Sequence, residues 1–175
     1  MERQEIPPDG LRLRSLQVWD GQWFLLTAGD FDRDRYNTMT VAWGSLGTMW
    51  NRPFAQVVVR PTRHTYGFIE EFDTFTLCAF GEAQREALKL LGTRSGRDGD
   101  KIRASGLTPV AAQRVAAPGF AEAELIIECR KIYWDDFDPR HFLEPAIERC
   151  YPEQDYHRIY YGEIVAVSGL SGYRA

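Results

Sequence analysis

The stretch that decides the fold is Phe54-Ala-Gln-Val-Val-Val59, followed at once by Arg60-Pro-Thr-Arg63-His-Thr65. A near-continuous apolar run of this length is typical of a strand that is covered on both faces. The residues after it predict a short helix over 63–71, with Thr62 as its N-cap. A buried strand therefore leads directly into a helix whose first turn carries arginine and threonine.

Five further runs of β-branched and aromatic residues predict strands at uneven spacing. They cover residues 23–28, 39–43, 74–80, 125–133 and 159–167. Six short strands with turns between them favour a β-barrel or a β-sandwich.

Helices are predicted only at the margins of this β structure. One covers residues 82–91 with Gly92 as its C-terminal stop, and a turn or short helix surrounds residues 98–104. Residues 135–154 hold three prolines and mixed charges, which predicts a surface excursion with a short helix. We expect a single domain over residues 1–175, with roughly the first 15 residues as an extended arm.

Composition excludes several classes of protein. The chain has 21 Lys and Arg against 25 Asp and Glu, a net charge of −4, so nucleic acid is not expected as a partner. Its N-terminus is charged and no apolar run is long enough to span a bilayer, so no signal peptide and no membrane are expected. Three cysteines without a C-x-x-C pair fit neither a disulfide scaffold nor a thiolate zinc site. We therefore expect a cytoplasmic protein without a metal.

The turn from Arg60 to Thr65 is the first candidate binding site. Arginine binds phosphate through two parallel hydrogen bonds, and the unpaired amides of a helix's first turn attract anions. Two arginines, two threonines and a helix start within six residues predict a phosphate site. The alternative is that Arg60 and Arg63 are solvated surface charges and Thr62 only caps the helix.

Three other segments could complete a ligand site. The loop 93–101 carries Ser95, Gly96 and Lys101, so backbone amides and one ammonium can approach a ligand; a plain connecting loop is the alternative. The run from Asn37 to Gly44 offers polar groups for the edge of a planar heterocycle and apolar contacts from Met39 and Trp43. The alternative is that Trp43 and Trp50 are core residues, which tryptophans are more often than they are stacking partners. His157 is the candidate for a catalytic group that titrates near neutral pH, or else a structural histidine.

Together these segments resemble the flavin reductase-like family, which binds FMN on an antiparallel Greek-key split β-barrel. The resemblance is carried in order by five blocks that extend over most of the chain. They are NTMTVAWG (37–44), RPTRHTYGFIE (60–70), FTLCAF (75–80), LGTRSGRDGDK (91–101) and DYHRIYYGEI (155–164).

The resemblance implies which residues hold the cofactor. The strand that ends in Trp-Gly would line the ribityl chain and the isoalloxazine ring. The strand-to-helix turn would hold the 5′-phosphate, and the loop after the second helix would approach the flavin. Beside the resemblance, Lys101 or a backbone amide is the candidate for stabilising negative charge on the reduced ring. The implied cofactor-binding residues are Asn37, Met39, Thr40, Val41, Ala42, Trp43, Gly44, Ser45, Arg60, Arg63, Thr65, Ser95, Gly96 and Lys101.

The resemblance also implies an FMN-dependent oxidoreductase, of the type that transfers a hydride from NADH or NADPH to flavin, and a homodimer with its sites near the subunit interface. Two alternatives stay open at this point. One is an FMN-holding electron-transfer protein that lacks a nicotinamide site and exchanges electrons with a partner protein. The other is a binding protein on the same fold that has no flavin.

Overall fold

A computed structural model of the chain describes residues 2–175. Within that range the chain forms ten strands, most of them in one antiparallel sheet. They are β1 (Gln4–Glu5), β2 (Phe24–Asp30), β3 (Arg35–Val41), β4 (Gly44–Met49), β5 (Arg52–Val59), β6 (Thr74–Ala79), β7 (Pro109–Val110), β8 (Gly119–Phe120), β9 (Leu125–Asp136) and β10 (Arg158–Gly169).

The order of strands in the main sheet is β3-β2-β6-β9-β10-β5-β4, and β1 pairs with β10. The two ends of this path, β3 and β4, are neighbours in sequence and are joined by only Ala42 and Trp43. The sheet must therefore curl until its two edge strands meet at one end, where they diverge instead of pairing. The structure therefore confirms the predicted fold class, a mainly β, antiparallel split barrel.

Alternating side chains of the strands fill two hydrophobic layers. Inward residues such as Phe24, Leu26 and Val57 form the barrel interior, and no part of these side chains is exposed. Outward residues of β2, β6 and β9, among them Leu25 and Cys78, pack instead against the helix side of the sheet. Both faces of these strands are buried, which explains why their sequences read as continuous apolar runs.

The α-helices are short and lie outside the barrel. They are α1 (Ser15–Gln17), α2 (His64–Glu71), α3 (Arg85–Thr93) and α4 (Lys101–Ser105). A 3₁₀ turn over Glu82–Gln84 precedes α3, and two more, Pro139–His141 and Pro145–Cys150, lie in the predicted excursion between β9 and β10. Among residues 2–175 no helix is long and apolar enough to cross a membrane.

Two helix boundaries differ from the sequence prediction. Thr62 does not cap α2: Arg63 occupies the N-cap, and the Thr62 hydroxyl lies 3.2 Å from Asp155 Oδ2. Gly92 does not stop α3, which runs on to Thr93. A Cβ at Gly92 would lie 3.1 Å from Thr40 Cβ, so this glycine allows α3 to pack closely on β3 and does not act as a terminator.

One strand boundary was also wrong. The predicted strand 39–43 begins four residues earlier, at Arg35, and ends at Val41, while β4 was not predicted at all. Its sequence, Gly44-Ser-Leu-Gly-Thr-Met49, has too little β-branched and aromatic content to stand out. The turn between β4 and β5 places Trp50 and Asn51 at φ 53° and 58°, the left-handed geometry of a tight two-residue hairpin.

Residues at the N-terminus pack against the end of the chain. Gln4 and Glu5 pair with Gly169 and Ser168 on β10, and Ile6 is only 1% exposed. Leu11 forms a bridge to Arg174. The segment that the sequence suggested as an extended arm is thus extended in part and lies along the barrel.

Candidate functional site

The gap between β3 and β4 opens into a cavity of about 200 Å³, which we call the split cavity. Its wall comes from the end of β3, the two-residue link to β4, the end of β5 and the residue before β10. The lining residues are Met39, Thr40, Val41, Ala42, Trp43, Val58, Arg60 and His157. Three separate stretches of the chain meet here because the barrel brings the ends of these strands together.

A second cavity of about 150 Å³ lies beside it, and Met39 lines both. We call it the cationic cavity. Its other residues come from the start of α2 and from the loop between α3 and α4. They are Thr62, Arg63, His64, Thr65, Thr93, Arg94, Ser95, Arg97 and Lys101. Four cationic side chains and four hydroxyls line this cavity, and no carboxylate does.

The cations of this cavity are not neutralised by the protein. Across the described residues 2–175, Arg63, Arg94, Arg97 and Lys101 form no salt bridge. Burial, reinforced by the charge of Arg63, lowers the pKa of Lys101 to about 8. Burial likewise lowers the pKa of His64, with Arg97 and Lys101 acting in the same direction. Uncompensated positive charge of this kind favours the binding of an anion.

The C-terminal carbonyls of α3 hold two of these cations in place. Arg63 Nη2 donates to the carbonyl of Gly92, and Lys101 Nζ donates to the carbonyls of Leu91 (3.0 Å) and Arg94 (3.1 Å). Cations at a helix C-terminus are favoured by the helix dipole and by its unpaired carbonyls. Lys101 is only 4% exposed, so it orders the loop as well as adding charge. The suggested contact of Lys101 with flavin stays a prediction.

The start of α2 and the loop 93–101 approach each other closely. Asn37 on β3 donates from Nδ2 to Thr65 Oγ1 over 2.8 Å, and both side chains are buried. A Cβ at Gly96 would lie 2.6 Å from Asn37 Oδ1 and 2.6 Å from His64 Cδ2, so only glycine fits there. Ser95 Oγ accepts from the amide of Arg97 and turns the loop toward α2. The structure therefore brings Thr65, Asn37, Ser95 and Gly96 together.

Arg60 is the main correction to the predicted phosphate site. It lines the split cavity and not the cationic one. Its Nη1 lies 2.6 Å from Asp155 Oδ1, and its Nη2 donates to the carbonyl of Cys150 over 2.6 Å. Arg60 and Arg63 line adjoining cavities, and they are close enough that the charge of Arg60 lowers the pKa of Arg63. The predicted phosphate site thus keeps Arg63 beside the helix start, while Arg60 is bonded to Asp155.

The remaining predicted residues divide between the cavity and the fold. Met39, Val41, Ala42 and Trp43 line the split cavity. The Thr40 hydroxyl donates to the carbonyl of Leu88, and Ser45 Oγ bonds Gln56 Oε1, so both hydroxyls are used within the protein. Gly44 has no room for a side chain, because a Cβ would lie 2.4 Å from the Trp19 ring.

The interpretation of two tryptophans as core residues is wrong. Trp43 is 49% exposed and lies 5.3 Å from the His157 ring, measured between ring centroids. Trp50 is 55% exposed at the hairpin turn.

His157 is buried, and its Nδ1 lies 2.8 Å from the Tyr151 hydroxyl. Burial, with the nearby charge of Arg60, lowers the pKa of His157 to about 4, so it is neutral at pH 7.

Sequence reasoning missed several lining residues. Arg94 and Arg97 flank the predicted Ser95-Gly96 pair, and their positions on either side of a small, flexible dipeptide were the available signal. Val58 carried no such signal, because it reaches the site only through the barrel's long-range contacts. The same holds for Tyr151, which lines neither cavity but bonds His157, a residue that does. No group of three or more His, Cys, Asp or Glu side chains in residues 2–175 is arranged to hold a metal ion.

Comparison with solved structures identifies the same architecture elsewhere. The FMN-binding domain of a flavin reductases-like enzyme from Shewanella baltica OS155 has a TM-score of 0.69 at 20% identity, covering 96% of this chain and 77% of that one. Flavoredoxin of Desulfovibrio vulgaris (Miyazaki F) has a TM-score of 0.67 at 25% identity, covering 92% and 75%. Component B of nitrilotriacetate monooxygenase from Bacillus cereus has a TM-score of 0.68 at 14% identity, covering 89% and 72%.

Sequence comparison gives one family and no individual relative. No curated protein matches the sequence significantly. A family model described as the flavin reductase like domain matches residues 21–174, which include both cavities and every strand of the main sheet except β1. The chain therefore belongs to the flavin reductase like domain family.

Proposed function

We propose that the protein is an FMN-binding oxidoreductase, and specifically one that transfers a hydride from NADH or NADPH to flavin. The observation that carries the proposal is the cationic cavity, in which four unneutralised cations adjoin the more apolar split cavity. A phosphate on one end of a planar heterocycle would match this pair of environments. The FMN-binding Shewanella domain and the Desulfovibrio flavoredoxin, which share the fold, support the choice of cofactor.

The residues present fit FMN on two further points. The two volumes, about 200 and 150 Å³, together reach the lower end of the usual range for small-molecule sites, roughly 300–1,000 Å³. Because residue 96 is a glycine, only its backbone, and no side chain, lies beside Asn37 and His64. Arg63, Arg94 and Arg97 would hold the phosphate together with the hydroxyl of Ser95.

Each part of the site would have a distinct task in catalysis. When bound, FMN would supply the redox chemistry, because its ring accepts a hydride from a nicotinamide and passes electrons on. Met39 would separate the phosphate end from the ring end, and Trp43 would cover the ring at the mouth of the split cavity. His157, neutral at pH 7, would offer a hydrogen bond without adding a charge.

Steady-state oxidation of NADH and of NADPH, each with FMN as acceptor, tests the proposed activity. We expect turnover with at least one donor, and a visible flavin spectrum after the purified protein is mixed with FMN and desalted. If the protein retains flavin but oxidises neither donor, the reductase proposal is wrong. The result would favour the electron-transfer protein, in which a partner protein reduces the flavin. A colourless protein that takes up no FMN would contradict both.

We also propose a homodimer, with a second copy of this chain covering an aromatic cluster. Trp50, Phe54, Tyr133 and Tyr161 form this cluster on the β4, β5, β9 and β10 side of the sheet, with ring centroids 5.3–6.1 Å apart. Trp50 and Tyr133 are 55% and 45% exposed. Exposed aromatic side chains of this density are typical of interface centres. The homodimer that the family resemblance implies and the half-exposed Trp43 at the cavity mouth support a site that the second copy helps to enclose.

Light scattering of the wild-type protein and of Trp50→Asn tests this proposal. Asparagine tolerates the left-handed backbone of position 50 better than tryptophan, so the variant should fold. We expect a dimer for the wild type at micromolar concentration and at least tenfold weaker dimerisation for the variant. Leu16→Asn, which removes an exposed apolar side chain outside the cluster, serves as the control. A monomeric wild type would refute the homodimer.

Three free cysteines, one of them the exposed Cys150, support the cytoplasm as the location of the protein.

A further inference from the structure

Arg60 connects the end of β5 to the long excursion over residues 137–157. Besides its bonds to Asp155 and to the Cys150 carbonyl, its guanidinium carbon lies 4.9 Å from the centre of the Tyr151 ring. Asp155 also lies within hydrogen-bond reach of the Thr62 hydroxyl. Both ends of the Arg60 guanidinium are thus occupied by the excursion, so Arg60 fixes the position of Tyr151.

Tyr151 in turn holds His157. The Tyr151 side chain is nearly buried, at 4% exposure, and stacks on Phe142 with an interplanar angle of 10°. Its hydroxyl lies 2.8 Å from Nδ1 of His157, whose ring is packed between Trp43 and Phe137. The packing on both rings leaves this hydrogen bond little freedom to rearrange.

The second ring nitrogen of His157 is left for a ligand. His157 Nε2 has no hydrogen-bond partner in residues 2–175. In that range, the only side-chain polar atom that is both fully buried and without a partner is Trp19 Nε1, so His157 Nε2 is not fully buried. His157 Nε2 must therefore reach an accessible surface. Because His157 lines the split cavity, that surface is the cavity wall.

Charge decides which partner donates in the Tyr151–His157 bond. Burial raises the pKa of Tyr151, and Arg60 opposes this, so the phenol is protonated at neutral pH. Burial and the charges of Arg60 and Arg63 lower the pKa of His157, while Asp155 acts in the opposite direction, so the imidazole is neutral. A cation over the phenol ring makes its hydroxyl a better donor and a poorer acceptor. These charges favour the Tyr151 hydroxyl as the donor to Nδ1, an arrangement in which the imidazole proton is on Nε2.

We propose that Arg60 and Tyr151 are positioning residues that hold His157 as the neutral Nε2–H imidazole, with this N–H presented to the split cavity as a hydrogen-bond donor. Its acceptor would be a carbonyl oxygen on a planar ring, either of the flavin or of the nicotinamide amide. The tautomer is a property of the protein alone, whereas the acceptor rests on the proposed function.

Nitrogen NMR of protein labelled in its histidine rings tests the tautomer without any ligand. The His157 signals are assigned with His157→Gln. We expect a protonated Nε2 and an unprotonated Nδ1 in the wild type. In Tyr151→Phe we expect a mixture of tautomers and an approximately tenfold larger protonation constant for His157, because the hydrogen bond to the neutral ring is lost. The matched control is Tyr156→Phe, which removes a hydroxyl beside the Tyr151 ring that makes no bond to His157.

Arg60→Lys is the second variant. It keeps the positive charge and removes the guanidinium fork, so we expect a mixed tautomer there too, while Arg63→Ala should retain the wild-type tautomer. A protonated Nδ1 in the wild type, or an unchanged tautomer in both Tyr151→Phe and Arg60→Lys, would overturn the positioning role.

Titration with FMN, then with oxidised NAD⁺ on the FMN-loaded protein, identifies the acceptor. A downfield change of the Nε2 proton on FMN addition assigns the bond to the flavin, and a change only after NAD⁺ addition assigns it to the nicotinamide. No change with either ligand, when flavin fluorescence shows that FMN is bound, would refute the acceptor and leave the tautomer result standing by itself.

Discussion

The two cavities use arginine in opposite ways. In the cationic cavity Arg63, Arg94 and Arg97 face no carboxylate, and the protein supplies only backbone carbonyls to Arg63 and Arg97. In the split cavity Arg60 is bonded to Asp155 and lies over the Tyr151 ring. An arginine that the protein has already neutralised can position a neighbour, and one that it has not neutralised still has its charge available for a ligand. Sequence neighbours three residues apart thus have different roles.

The largest effect is expected from the removal of Arg63. In Arg63→Ala we expect FMN to bind about 10- to 100-fold more weakly, which corresponds to the roughly 1.5–3 kcal/mol of a charge-assisted hydrogen bond. Riboflavin, which lacks the phosphate, should bind as it does to the wild type. Flavin fluorescence titration measures both ligands.

Two further variants sharpen the result. Arg103→Ala removes an exposed arginine of α4 that does not line the cationic cavity, and it should leave both affinities unchanged. Arg60→Ala should weaken FMN and riboflavin by the same factor, because it displaces the excursion and not the phosphate. Equal weakening of the two ligands in Arg63→Ala would mean that Arg63 does not bind the phosphate.

The pH dependence of the free energy of unfolding tests the burial of His157 in the wall of the split cavity. Its pKa is about 4 in the folded protein and about 6.5 in the unfolded chain, so the folded state binds fewer protons between these values. Stability therefore falls as the pH falls through that window, by about 2 kcal/mol from His157 alone between pH 7 and pH 5. Urea denaturation at both pH values should show this loss in the wild type and in His141→Gln, whose side chain is exposed, but not in His157→Gln. The same loss in all three proteins would exclude His157 as its source.

The smallest expected effect is the pH dependence contributed by Lys101. Because its pKa is about 8, Lys101 loses its charge above that pH, and FMN should bind about tenfold more weakly at pH 9 than at pH 7. Lys101→Arg stays charged over this range and should bind FMN equally at both values. Riboflavin affinity serves as the control for other titrating groups. A tenfold loss of FMN affinity that persists in Lys101→Arg would show that another group causes the pH dependence.

The cationic cavity was the more predictable of the two because it is local in sequence. Residues 62–65 and 93–101 supply all of it except Met39, and Arg63, Thr65 and Ser95 could be recognised from the residue types in each segment. The strands that place them were predictable too, since the apolar runs of β2, β5 and β6 have the lengths of buried strands.

The split cavity depended on contacts that no local pattern encodes. Arg60 looked like a phosphate ligand because its partner, Asp155, lies 95 residues further along the chain. Strand β4 was missed because pairing with β5, and not its own propensity, forms it. Trp43 and Trp50 were interpreted as core residues because apolar side chains do not reveal from sequence whether the fold exposes them.

The ratio of FMN to riboflavin affinity for the wild-type protein shows directly whether the cationic cavity binds phosphate. If unneutralised cations make the cationic cavity a phosphate site, FMN should bind at least 100-fold more tightly than riboflavin at pH 7, because the phosphate would gain more than one charge-assisted contact. The preference should shrink as salt is added, since exposed charges are screened. Equal affinity for the two ligands would show that the cationic cavity binds no phosphate, and it would thereby contradict the proposed phosphate site.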